Sequence, residues 1–458
     1  MNRVVIIGGG PAGRIAAVHL GTAGEDVLLI DRKGATGGQC LHHGCMVICA
    51  LNDIARTLAH SEKLTTYEIF DASPKVSLKN IWREIREIQK TISDILDEET
   101  TGTGVTLCTG KEACINGQDV TLDGEKVSYD KLIISTGSRP YIPDIQGTGL
   151  AGVYTPHNIH NLTELPEKIS VIGGGVIASE FAYIFSALGS EVEMLCRREL
   201  FGSMDETFVK SARKELEKVS VRENTPVDKI TENRQGAEGL TLHAGHTESR
   251  TDAVLIATGL VPNTDMISGF EKGKQGEIIV NRDMQTGIAG IYAAGDVTGP
   301  PYLTPVARRE GLIAAGSILG RENPGMPSCI PQSVKLRFDH SFCSVPGIKP
   351  DKAYILPSPA GAGSFWSVPE RYTGYSKIEL DTKSGKIVRM YAGSPGSSLF
   401  TPYMAYLMER RTTTEELKQF PEVHPAADGI YGLIRYAQAL REEKKREDET
   451  GAGTNVLL

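Results

Sequence analysis

The chain has 458 residues, of which 49 are Lys or Arg and 57 are Asp or Glu, giving a net charge of −8. At roughly 150 residues per domain, that length holds about three domains. A mildly acidic chain gains little from phosphate backbones, and no stretch approaches the ~18 apolar residues of a membrane span, so nucleic-acid and membrane roles are set aside. Two counts need explaining: 50 glycines, and three of only eight cysteines (Cys40, Cys45, Cys49) close together in the first fifty positions. The first residues enter a strand-like run at once and leave no room for a signal peptide, so the cytoplasm is the expected compartment. Structural disulfides are rare there, and a close cysteine cluster is catalytic or metal-binding.

Taken in order, the apolar run Val4–Ile7 meets Gly8-Gly9-Gly10-Pro11-Ala12-Gly13, and an Ala-rich helix follows to Leu20. A buried-strand run, Val27–Ile30, then closes on Asp31 and Arg32. This is one βαβ unit. Gly8 permits the tight turn, Gly10 lets a diphosphate approach the backbone, and Gly13 lets helix and strand come close. The diphosphate rests on the helix N-terminus at Pro11 and Ala12. Asp31, about 20 residues on, is placed to accept hydrogen bonds from a ribose.

Apolar residues at 81, 85, 88, 92 and 95 predict a long amphipathic helix over Leu78–Glu98. The βαβ grammar returns at Ile169–Gly175, with a helix through Leu188 and a strand near Val192–Cys196. Gly173, Gly175 and Ala178 repeat the diphosphate turn, alanine being allowed third. Strand-to-glycine endings occur at Thr136-Gly137, Thr258-Gly259 and Gly295-Asp296. Residues 323–331 read as a linker, followed by strands (333–338, 376–380, 387–391) and helices (404–410, 430–443). From Arg441 onward a charged, then Gly-bearing stretch reads as a solvated tail.

The remaining text of interest is Gly37-Gly38-Gln39-Cys40-Leu41-His42-His43-Gly44-Cys45-Met46-Val47-Ile48-Cys49. Four residues between Cys40 and Cys45 is not a usual zinc spacing, and His42 and His43 lie too close to complete a site easily, so no metal is expected. On a helix, residues four apart have Cα atoms about 6 Å apart and residues five apart roughly 8–9 Å. Cys45 and Cys49 could pair on a regular helix, whereas Cys40 and Cys45 pair only if the turn at Gly44 is irregular. Cys108, Cys114, Cys196, Cys329 and Cys343 have no partner spacing and read as buried apolar residues.

This segment, with both glycine turns, the Thr-Gly endings, Gly295-Asp296 and His424-Pro425, resembles the flavin-dependent pyridine nucleotide–disulfide oxidoreductases, with dihydrolipoamide dehydrogenase the nearest likeness. The resemblance implies an α/β fold with two Rossmann-like nucleotide-binding domains and a C-terminal α+β dimerisation domain. It implies an FAD domain over 1–150 (completed by about 280–325), an NAD(P)H domain over 151–279, a dimerisation domain over 326–445 and a flexible tail over 446–458. It implies FAD and NAD(P)H as cofactors, a homodimer, and as substrate a small thiol or disulfide or a lipoyl or protein disulfide. Gly38, Thr136, Gly137, Asp296, Leu303 and Thr304 join the Gly8–Gly13 turn around FAD. Gly173, Gly175, Ala178 and Gly259 belong to the nicotinamide nucleotide.

By position, Cys45 would face the flavin as the charge-transfer thiolate and Cys40 would exchange with the substrate disulfide. His424, oriented by a carboxylate, would serve as acid–base for the partner subunit. Three positions depart from the pattern. The lysine expected beside the flavin is Cys49, leaving Glu180 in need of another partner and making Cys49 a candidate third thiol. The glutamate five after His424 is Gly429, with Asp428 one residue early. The acid that marks an NADH preference is Cys196, followed by Arg197 and Arg198, whose guanidinium forks suit a 2′-phosphate and favour NADPH over NADH. These departures keep two rivals open: a flavoprotein reductase of a quinone, metal ion or electron-carrier protein, and a redox-sensing or electron-transfer subunit with little turnover alone.

Overall fold

A computed structural model describes residues 2–202, 204–233, 239–355, 374–421 and 428–450. The chain divides into two compact units, the first built from residues 1–51, 76–178 and 225–326, the second from 52–75, 179–224 and 327–458.

In the first unit, β1 (Arg3–Ile7) leads through the glycine turn into α1 (Pro11–Thr22) and then β2 (Asp26–Asp31). β1 pairs in parallel with β2 on one side and with Lys131–Ile134 on the other. The strand Ile291–Ala293 and β3 (Thr106–Thr109) extend this into a five-stranded parallel sheet. Val4, Val5, Ile6, Leu29, Leu132, Ile133 and Ile134 are sealed from solvent, as expected of strands covered on both faces. A short helix, α2 (Gly38–His42), follows β2, and then the long α3 (Cys45–Thr66).

Helix α4 (Leu78–Thr101) is capped by Ser77, whose hydroxyl accepts the Asn80 N–H. It forms where the spacing predicts, but its stripe is narrower: Ile81, Trp82 and Ile85 are buried while Ile88 and Ile95 are half exposed. From its midpoint at Gln89 onward α4 instead turns polar residues inward. Gln89 donates to the carbonyls of Leu41 and His42, and Ser93 and Thr100 are buried. The second turn stands on a separate parallel ladder of Lys168–Ile172, Ala253–Ile256 and Val153–Tyr154, and opens α5 (Val176–Leu188).

In the second unit, Glu191–Leu195 pairs in parallel with Val219–Arg222. The C-terminal part is an antiparallel sheet in the order Gln332–Lys335, Asp339–Ser344, Lys386–Ser394, Tyr375–Asp381, Lys352–Ile355. Ile378, Leu380, Val388, Met390, Ile430, Leu433 and Ile434 are fully buried, and most of them form one core between this sheet and its helices.

Three expectations are corrected here. The final helix runs over Asp428–Thr450, so the charged stretch from Arg441 to Thr450 is helix rather than tail. Arg441 is itself buried, donating to the Thr382 carbonyl and to Gln438. Cys329 and Cys343, which have no partner spacing in the sequence, are buried in one core where their thiols interact, and the Cys343 S–H points to Met408 Sδ at 3.6 Å, because the strand Asp339–Ser344 returns the chain to residue 329. Cys114, read as buried, is exposed.

Candidate redox site

The site grows from the end of β1. Gly8 has φ +107°, and a Cβ there would lie 2.1 Å from the Ser135 carbonyl oxygen, so only glycine serves. A Cβ on Gly13 would lie 2.0 Å from the Gly8 carbonyl oxygen, which explains the close approach of α1 to the turn. Pro11 opens α1, whose first turn holds no acidic residue and whose N-cap, Gly10, offers no side chain. The N–H groups there are open to an anion. Asp31 is buried, with Oδ2 accepting the Gly9 N–H at 2.6 Å and Oδ1 accepting the Lys33 N–H at 2.7 Å. The carboxylate thereby braces the turn from behind.

The cysteine loop is held by a helix that stops and restarts. Gly37 enters α2 at φ +107°, His43 leaves helical geometry (φ −144°, ψ −9°), and α3 begins at Cys45. The N–H groups of His43 and Gly44 both return to the Gln39 carbonyl, at 2.9 and 2.8 Å. This break is the irregular turn that pairing requires. Cys40 and Cys45, five residues apart, hydrogen-bond through their sulfurs, and Thr304 Oγ1 lies 3.7 Å from Cys45 Sγ. All eight cysteines are thiols in this structure.

The pair is polarised. The Cys45 thiol stabilises a thiolate on Cys40 and pulls its pKa down to about 6, against the opposing effect of burial; the Thr304 hydroxyl and the Arg308 guanidinium assist. The same hydrogen bond, with burial, drives the Cys45 thiol upward. The rate of carbamidomethylation at Cys40 by iodoacetamide should therefore rise along a curve centred near pH 6, about three units below the ordinary thiol value of 9. Mass spectrometry of the alkylated peptide reads this directly, and a midpoint above pH 8 would contradict it.

A single cleft of about 1570 Å³, open to solvent, joins these parts. Gly8, Gly10, Pro11, Ala12 and Asp31 line one end and Cys40 and Cys45 the other, with Thr136, Gly137 and Asp296 between. The cleft continues the sheet's carboxyl edge, where ligands of open α/β folds bind. Its donor set suits FAD: an uncapped helix N-terminus for the diphosphate, and half-buried Asp296, whose Oδ2 accepts the Ser138 hydroxyl at 2.6 Å. Burial raises the Asp296 carboxyl above its ordinary value.

A sequence profile described as "Pyridine nucleotide-disulphide oxidoreductase" matches residues 2–311. The chain belongs to this family. Members are flavin-dependent NAD(P)H oxidoreductases acting on sulfur groups, and this one is an enzyme of that kind. It is 30% identical over 352 residues to the dihydrolipoyl dehydrogenase of Buchnera aphidicola subsp. Baizongia pistaciae, covering 72% of each chain. It is 26% identical to the mercuric reductase of Shigella flexneri, covering 97% of this chain and 81% of that one. Its fold matches the HOCl-induced flavoprotein disulfide reductase RclA from Escherichia coli with a TM-score of 0.83 at 23% identity, over 94% of this chain and 99% of that one. LpdA from Mycobacterium tuberculosis matches with the same TM-score at 22% identity, over 95% and 99% of the two chains. Among the described residues, no helix is long and apolar enough to cross a membrane.

The other positions that family membership singles out fall as follows. Gly173 has φ +143° and a Cβ there would lie 2.3 Å from the Ala257 carbonyl oxygen, so the second turn is built like the first. Ala178 is buried and Gly259 adopts φ +118°. In the second unit, Cys196 is buried, with burial pushing its thiol up to about 11, and Arg197 and Arg198 are exposed. Glu180, deprived of a lysine, accepts the Lys335 backbone N–H at 2.8 Å. Cys49 is exposed one turn beyond Cys45. Arg32 lines the cleft and pairs with Glu112 at 3.5 Å. Leu303 caps the helix Thr304–Ile318 and stands outside the cleft lining, whereas Thr304 enters it against the thiols. Asp428 opens the final helix, and His424 lies outside the described residues.

Several site residues escape a reading by spacing. His157, whose Nε2 is 2.8 Å from Gln39 Oε1, and His43 share the cleft, and their rings lie 4.8 Å apart. Burial, then Lys33, holds His43 down to about 3, and His157 to about 4, so both are neutral near pH 7. Glu310 is a further case, visible beforehand only as two turns beyond Thr304 on the same helix. Its Oε2 accepts the Gly295 N–H at 2.7 Å and the Thr298 hydroxyl at 3.0 Å.

Burial raises the Glu310 pKa from 4.5 to about 7. Because the folded value lies above the unfolded one, its contribution to stability is full below pH 4.5 and lost as the pH rises through 7. The loss is on the order of 3 kcal/mol at most. Glu310→Gln keeps an acceptor for Gly295 but cannot ionise. Its melting temperature is expected to fall less between pH 6 and pH 8 than that of the parent, and equal falls would contradict the assignment.

Proposed function

We propose that the protein moves electrons between NAD(P)H and a thiol–disulfide substrate through FAD and a Cys40–Cys45 redox pair. The observation that carries this reading is the cleft that holds the Gly8–Gly13 turn and both thiols at once. The Gly8–Gly13 turn, Asp31, Gly38, Thr136, Gly137, Asp296 and Thr304 would hold FAD, which supplies a two-electron carrier between nicotinamide and sulfur.

The residues of this chain then perform a thiol–disulfide exchange. Cys40, the sulfur with the lowered pKa, attacks one sulfur of the substrate disulfide, forming a mixed disulfide and releasing one substrate thiolate. Cys45 attacks the Cys40 sulfur, releasing the second thiolate and closing a Cys40–Cys45 disulfide. Two electrons from NAD(P)H reopen it, and the two substrate thiolates take up two protons. His424, aided by Asp428, serves as the proton donor across a homodimer interface. The Gly173–Ala178 turn and Gly259 receive the nicotinamide nucleotide, with Arg197 and Arg198 favouring NADPH over NADH. The division into FAD (1–150 with 280–325), NAD(P)H (151–279) and dimerisation (326–445) domains follows this reading, as does action in the cytoplasm. The substrate class is a small disulfide or a lipoyl or protein disulfide.

An anaerobic titration of the FAD-bound protein with NADPH and with NADH, followed by flavin absorbance, tests the scheme. Uptake of four electrons per subunit is expected, two of them entering the cysteine pair, with NADPH the faster donor. Uptake of only two would reject the pair as redox active. The replacement of the expected glutamate by Gly429 supports a second reading, a reductase of a quinone, metal ion or carrier protein. Normal flavin reduction with negligible disulfide turnover would favour that alternative.

A further inference from the structure

The first unit contains a second cavity, of about 830 Å³ including its mouth, that the redox chemistry leaves unused. Its walls come from the loop after β2, the helix break at His42 and His43, the first half of α4, and the segment 156–160. Two side chains of fixed positive charge line it, Lys33 and Arg86, and no Asp or Glu does. Neither cation forms a salt bridge among the described residues.

Three imidazoles, of His42, His43 and His160, line the cavity together with these cations. Burial is the first cause that lowers each of their pKa values, and the Lys33 charge adds to it. The rings are therefore neutral donors rather than further cations. His42 Nε2 is already engaged with the Thr36 carbonyl at 3.0 Å. His43 Nδ1 is buried with no hydrogen-bond partner, so this ring brings no carbonyl or carboxylate acceptor into the cavity.

The floor is apolar. Trp82 and Ile85 from α4 and Ile159 from the opposite side are all buried to 9% exposure or less. The Trp82 indole N–H is already spent on the Leu162 carbonyl at 2.9 Å, so only its ring surface remains for contact. A wall of donors and cations above a flat apolar floor, without an acid to neutralise it, is complementary to an anion carried on an apolar body. A metal does not suit the same place. Two cations repel it, and no cluster of His, Cys, Asp or Glu among the described residues has the geometry of a metal site.

We propose that this cavity binds a small organic anion, a carboxylate or phosphate ester on a flat apolar group. Arg86 and Lys33 meet the anion, and the body lies on Trp82 and Ile85 beside the His43 ring. His43 also lines the cysteine cleft, so an occupant here touches a ring that forms part of the redox site. The assignment does not depend on the redox reading, and its test reads binding rather than turnover.

The chain has two tryptophans, Trp82 and Trp366. In a Trp366→Phe background of the FAD-bound protein, Trp82 becomes the sole tryptophan reporter. Titration with phenyl phosphate should give a saturable change in its fluorescence. Arg86→Gln should weaken that binding at least tenfold, while Arg83→Gln, a change to an exposed arginine on the same helix that does not line the cavity, should leave it unaltered. Equal affinity for benzyl alcohol would overturn the proposal by removing the anion requirement. Equal affinity for inorganic phosphate would overturn it by removing the apolar floor. Wild-type affinity in Arg86→Gln, or no saturation up to about 5 mM phenyl phosphate, would do the same.

Discussion

Cys45→Ser is expected to lower NAD(P)H-driven disulfide reduction by about a thousandfold or more, with FAD still bound. The serine keeps the size of the side chain and the start of α3, but its hydroxyl cannot release Cys40 from a mixed disulfide. It also removes the thiol whose hydrogen bond is the first cause of the low Cys40 pKa. The midpoint for Cys40 alkylation should accordingly move up from about 6 toward the ordinary thiol value of 9. Cys40→Ser should lose turnover just as fully, since it removes the exchanging sulfur. Cys49→Ser is the informative control. Its charge acts only last among the influences on Cys40, and turnover within about threefold of the parent is expected if the pair works alone. A thousandfold loss in Cys49→Ser would make it a third member of the relay. Steady-state assays with NADPH and a small disulfide, alongside flavin content, separate these outcomes.

The second large effect belongs to the glycine turn. Gly8→Ala places a methyl carbon 2.1 Å from the Ser135 carbonyl oxygen, at a backbone φ of +107° that alanine resists. Neither obstacle can yield cheaply, because the obstructing atom is backbone in the strand-end turn that follows Lys131–Ile134. The expected cost is about 3 kcal/mol or more, falling on the turn that presents the α1 N-terminus. The variant should purify with little flavin and a lowered melting temperature. Gly175→Ala provides the contrast, since a Cβ there meets nothing within 4 Å. Full flavin occupancy in Gly8→Ala would show that the turn does not seat the diphosphate.

The glycine turns were legible because their requirement is local. A position that must have positive φ, or must lie against a carbonyl, excludes every residue but one. The cysteine pair was legible only through the resemblance to the family, because spacing alone left Cys45 with Cys49 on a regular helix as open as Cys40 with Cys45 across a break at Gly44. Other features depend on neighbours distant in sequence. Ile88 and Ile95 continue a helical stripe, yet whether they are covered depends on what lies opposite, and α4 meets the carbonyls of residues 41 and 42 through Gln89 instead. His157 reaches Gln39 across 118 positions, and Glu310 reaches the Gly295 turn only because its helix folds back beneath it. The contact of Cys329 with Cys343 arises from strand return, which no spacing rule encodes.

The interruption between α2 and α3 has an electrostatic consequence as well as a geometric one. By restarting at Cys45, a helix of 22 residues presents its positive end to one sulfur of the pair, and Cys45's own N–H favours charge there. Cys40 is favoured from the other side by its partner's proton, Thr304 and Arg308. The negative charge thus rests on Cys40 and the proton on Cys45, while the start of α3 offsets part of the cost of placing charge on Cys45. Moving that one proton passes the thiolate from the attacking sulfur to its partner, and leaves both helices where they are.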